Sequence, residues 1–81
     1  MFTVIETPTF VRLAEDYWND EDRTGFVNFI AGAPEAGDVV PGSGGVRKVR
    51  WGSVGRSKRG GVRVIYFNRL ANGEIWLLLI F

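Results

Sequence analysis

Apolar positions along this chain follow one spacing up to about residue 37 and another beyond it. Residues 2–5 (FTVI) are aromatic and β-branched, which predicts a short first strand. Thr7-Pro8 then reads as an N-cap and a first helical residue. Phe10, Leu13, Ala14 and Tyr17 recur at i, i+3, i+4 and i+7, one face of a helix. Asn19-Asp20-Glu21-Asp22 opens a second helix, with acids where the helix dipole favours them. Phe26, Phe29, Ile30 and Ala33 repeat the helical spacing, and Gly32 and Pro34 end it. The two helices are expected to form an antiparallel hairpin.

Beyond Gly37 the pattern is that of strands. Residues 46–51, 62–68 and 74–81 predict three, and Ala71-Asn72-Gly73 carries the Asn-Gly signal of a hairpin between the last two. Residues 52–61 read as a polar, cationic loop. The expected order is βααβββ: one α+β domain over residues 1–81, with two helices on one face of an antiparallel sheet. The chain stops at Phe81 inside an apolar strand. The expectations drawn from that stop are a C-terminally incomplete domain and self-association through Trp76 to Phe81.

Charge changes this picture. The net charge of +1 conceals a split, with eight acids against Arg12 and Arg23 in residues 1–38, and eight cations against Glu74 in residues 39–81. Seven of those cations, Arg47, Lys48, Arg50, Arg56, Lys58, Arg59 and Arg63, fall within seventeen residues that contain no acid. Segregated charge creates a local potential suited to a polyanion or an acidic partner. Period-two alternation puts Lys48 and Arg50 on one face of their strand and Arg47, Val49 and Trp51 on the other. In the next strand Arg63, Ile65 and Phe67 share a face. Whether Arg63 falls beside Lys48 and Arg50 depends on register. A solvated sheet face is the alternative to a phosphate site, but exposed sheets usually mix signs.

Trp51, Tyr66 and Trp76 are candidates either for stacking RNA bases or for core packing. Trp76, within EIWLLLIF, is expected in the core. Glu15, Asp16, Asp20, Glu21 and Asp22 read as a solvated helix end, so no metal or other cofactor is expected. The chain has no His, which removes the commonest general base, and no Cys, which fits a reducing cytosol. No signal-peptide pattern follows Met1, and the seven-residue apolar run 75–81 is too short to span a bilayer.

The stretch GDVVPGSGGVRKVRWGSVGRSKRGGVRVIYF, with the leading VIET and the helix pair, resembles the HigB-like branch of the RelE superfamily of bacterial type II toxins. The resemblance covers essentially the whole chain, and KRGGVRVIY is its most specific part. It implies a microbial RNase fold and a ribosome-dependent mRNA endonuclease of the cytoplasm, neutralised by a helix-turn-helix antitoxin. By the same resemblance Lys48, Arg50 and Arg63 occupy the catalytic strand positions. Arg47, Lys58 and Arg59 occupy flanking basic positions, and Arg56 joins them as RNA-binding. Members of the family continue past the last strand with a Tyr/Phe-x-Lys-x-Glu segment and a closing helix, where this chain ends. Two alternatives stand beside this reading: a ParE-like relative that poisons gyrase, and a catalytically impaired fragment that binds only antitoxin.

Overall fold

Thr7 does two jobs at the first junction. Its hydroxyl accepts from the Phe10 amide at 3.2 Å, capping a helix whose first residue is Pro8, and donates to the Leu77 carbonyl at 2.8 Å. The start of the helix is thereby bolted to the last strand. The structure is a computed structural model that describes residues 2–52 and 61–81.

The elements are β1 (Thr3–Glu6), α1 (Pro8–Ala14), α2 (Asp20–Gly32), β2 (Asp38–Val39), β3 (Val46–Trp51), β4 (Val62–Arg69) and β5 (Glu74–Ile80). The fold is α+β, with two helices and a five-stranded sheet in the order β1-β5-β4-β3-β2. The expected antiparallel sheet is in fact mixed, because β1 runs parallel to β5, with Ile5 opposite Trp76. The chain between them is long enough to allow parallel pairing, which no tight turn can make. The short edge strand β2, antiparallel to β3, was not expected either. Between β4 and β5 the hairpin connection is a single 3-10 turn, Leu70–Asn72, closed by Gly73.

Helix α1 ends three residues before Tyr17, the last residue of its predicted apolar face. The amides of Tyr17 and Trp18 both bond to the Ala14 carbonyl, at 3.0 and 2.9 Å. This tight turn drops the Trp18 ring between Phe10 and Phe26, with centroid separations of 6.3 and 5.3 Å. Asn19 caps α2 through the Asp22 amide at 2.7 Å, as its sequence predicts.

Phe10, Ala14, Trp18, Phe26 and Ile30 of the helical layer pack against Val49, Val62, Val64, Tyr66, Ile75, Leu77 and Ile80 of the sheet. Each fully buried large side chain contributes about 1.5–3 kcal/mol to stability. All the sheet members of this core lie on one face. The other face is uncovered by any helix among the described residues.

A bulge decides what β5 shows to each side. Ile65 pairs with Leu79, but Tyr66 pairs with Leu77, so Leu78 is the extra residue. Alternation along 75–81 would turn Leu79 inward; the bulge instead buries Ile80 and leaves Leu79 43% exposed.

Candidate nucleic-acid interface

The open face is built from side chains aligned in rows across the sheet. In the register of β3 and β4, Arg50 stands directly opposite Arg63, and Lys48 opposite Ile65. Residues directly opposite in an antiparallel pair project to the same side, with Cβ atoms about 5 Å apart. Lys48 lies one step of about 6.6 Å along β3 from Arg50. Lys48, Arg50 and Arg63 therefore share one face. Lys48 and Arg50 are exposed and Arg63 is half-buried. None of the three has an ion pair or a side-chain hydrogen bond with another described residue; the one ion pair among described residues joins Arg23 and Glu6. Arg63 is anchored by its backbone, which exchanges hydrogen bonds of 2.8 and 2.9 Å with Phe81.

Glycine makes this register possible at the mouth of the β3–β4 hairpin. Gly61 has φ +68°, and a Cβ there would run into the Trp51 carbonyl. A side chain would force the strands apart at the very rung before the Arg50–Arg63 pair.

Three residues expected at the RNA are instead structural. Tyr66 is 0% exposed and offers no ring face to a base. Its hydroxyl accepts from the Gly37 amide at 2.9 Å and donates to the Pro34 carbonyl at 2.8 Å. Burial pushes this hydroxyl above its ordinary value of 10.0, overcoming the lowering effects of the Gly37 hydrogen bond and of Arg47. Arg47 lies on the helix side, where its guanidinium donates to the Gly37 carbonyl at 2.7 Å. Asn68 adds a bond to the Pro34 carbonyl at 2.8 Å. Together these groups clamp the segment after α2 onto the sheet. Gly37 fits there only without a side chain, since a Cβ would lie 2.7 Å from the Lys48 carbonyl oxygen. Trp51 stacks on Phe29 at 4.7 Å and meets Phe26 edge-on at 5.7 Å. Of the two readings open for Trp51 and Tyr66, core packing is the one the geometry supports. Arg56, Lys58 and Arg59 lie outside the described residues.

The opposite correction applies to Trp76. It belongs to the open face, not the core, and stands directly opposite Phe67 on one side and Ile5 on the other. Its indole N–H donates to the Glu74 carboxylate at 3.1 Å. Phe67, Ile65 and Leu79 complete an apolar strip beside the cations. The parity already linking Arg63 to Phe67, carried across the Asn-Gly hairpin, is the signal that reaches Trp76. Asp38, directly opposite Lys48 in β2, is a further residue the sequence did not single out.

Part of the charge split of the sequence thus becomes a division between two sides. Asp20, Glu21 and Asp22 occupy the first turn of α2, and Glu15 and Asp16 the turn before it, all in the helical layer. Lys48, Arg50 and Arg63 project from the other face. Such an arrangement can hold phosphates and stabilise added negative charge on them. No protein-family model matches the chain.

Proposed function

We propose that this chain is a ribosome-dependent mRNA endonuclease of the RelE/HigB kind, a type II toxin held in check by a helix-turn-helix antitoxin. The observation that carries the reading is the registered Arg50–Arg63 pair with Lys48 beside it, on a face that no described helix covers. Like charges directly opposite in a sheet repel, so the pair is unfavourable until an anion arrives. The resemblance of the 37–67 stretch supplies the reaction class.

In this reaction the RNA 2′-hydroxyl attacks the adjacent phosphorus, the bond to the 5′-oxygen breaks, and a 2′,3′-cyclic phosphate and a 5′-hydroxyl result. One proton leaves the 2′-oxygen and one reaches the 5′-oxygen. Arg50 and Arg63 hold the charge that builds on the phosphorane, and cannot move protons because a guanidinium stays protonated. The proton work falls to Lys48, whose ammonium can give a proton to the 5′-oxygen, and to the Asp38 carboxylate registered beside it, which can take one from the 2′-hydroxyl. A site with so few acid–base groups depends on its substrate being oriented, which the ribosome would supply. No described helix is long and apolar enough to cross a membrane. A cytoplasmic site of action follows from the proposed ribosomal substrate.

The test is primer extension on translated message in cells expressing the protein, with growth recorded in parallel. Cleavage and growth arrest should both vanish in Arg63→Ala. Growth arrest that survives Arg63→Ala, or that comes with damaged DNA and intact message as for a gyrase poison, would overturn the reading.

A further inference from the structure

Phe67 and Trp76 are large aromatic residues on the face opposite the hydrophobic core, and core packing does not explain them. They face one another across β4 and β5, two steps along the sheet from Arg63. That separation is about 13 Å, short enough for one oligonucleotide to cover both. Neither ring stacks on another aromatic among the described residues, whereas Trp51 on the helix side stacks on Phe29. Gly45 borders Phe67, where a Cβ would come within 3.5 Å of its ring, so the absent side chain leaves that edge clear. The hydrogen bond from the Trp76 indole to Glu74 fixes the orientation of the ring. At the aromatic end Arg69 stands opposite Glu74, so these two charges offset, while Arg50 and Arg63 face one another at the other end. The face is therefore polarised, with anion sites at Arg50 and Arg63 and flat apolar rings at Phe67 and Trp76.

We propose that Phe67 and Trp76 form a base-stacking platform for single-stranded RNA whose phosphates lie on Lys48, Arg50 and Arg63. This rests on the RNA reading above and names the residues that would hold the bases. Stacking is tolerant of sequence, because every base has a π face, so the platform serves grip and orientation rather than base choice. An acidic peptide would match the cations equally well, but it brings no flat π face with each charge to cover Phe67 and Trp76.

The experiment compares fluorescence-anisotropy titrations of a short oligouridylate and an abasic oligonucleotide of equal length and charge. The platform predicts that the base-bearing strand binds roughly tenfold or more tightly. It also predicts quenching of tryptophan emission that is lost in Trp76→Phe. In Phe67→Leu and Trp76→Leu, which keep apolar bulk, the preference should shrink while the salt dependence stays. The wild-type comparison stands even if a variant folds poorly. Equal binding of the two strands would overturn the platform and leave the phosphate site intact. Failure of both strands to bind would overturn platform and RNA reading together. Concentration-dependent self-association of wild type in light scattering, relieved by Trp76→Lys and unaffected by RNA, would assign the strip to a second copy of the chain and overturn the platform.

Discussion

Single residues on the two sides of the sheet do opposite things, and substitution should separate them. Tyr66 is held neutral by burial between Gly37 and Pro34. Tyr66→Phe leaves the Gly37 amide without its partner, while the Pro34 carbonyl keeps Asn68, and should cost about 1–3 kcal/mol at neutral pH. Because the folded-state pKa is raised, the contribution is whole below the unfolded value and is lost as pH rises through the folded one. Urea unfolding of wild type should therefore weaken on the alkaline side of pH 10.0, and Tyr66→Phe should lack that part of the decline. Equal stability of the two proteins at neutral pH would contradict the role given to the clamp. Arg50 presents the reverse case. Removing one member of a like-charge pair should leave stability unchanged or raise it by about 0.2–1 kcal/mol at low salt. The same Arg50→Ala change should weaken RNA binding, a combination that thermal melts and anisotropy together would reveal.

At the scale of elements, the β3–β4 hairpin positions the cations and α2 holds the hairpin in place. Trp51 joins them by stacking on Phe29. Trp51→Ala should cost about 3–5 kcal/mol of stability in chemical denaturation. Conditions that keep this variant folded should leave its RNA affinity close to wild type, which a stacking role for Trp51 would not allow. The elements that local chemistry specifies were legible in the sequence. Thr7-Pro8 and Asn19 mark helix starts through hydrogen bonds within a few residues, and Asn72-Gly73 closes a hairpin in the same way. The shared face of Lys48 and Arg50 follows from alternation alone. What alternation cannot supply is register between strands, on which the Arg50–Arg63 pair depends. The parallel docking of β1 is a long-range choice that leaves no local mark. The unbroken apolar run of β5 conceals both the bulge at Leu78 and the outward side of Trp76, since apolar residues on both faces erase the alternation. Tyr66 shows the same limit from the other side, because its spacing allows a buried hydroxyl or an exposed ring equally.

Taken whole, the molecule carries Glu15, Asp16, Asp20, Glu21 and Asp22 in the helical layer and Lys48, Arg50 and Arg63 on the open sheet face. The resulting field should steer a polyanion onto that face and lose strength as salt is added. The central claim is that Lys48, Arg50 and Arg63 hold RNA phosphates, and the slope of log affinity against log salt tests it most directly. About four phosphate contacts would give wild type a slope of roughly −3 with single-stranded RNA, at about −0.7 per contact. Replacing Lys48, Arg50 and Arg63 together with Gln should make the slope shallower by about 2 while the thermal melt shows a folded protein. A folded triple variant with the wild-type slope would contradict the account.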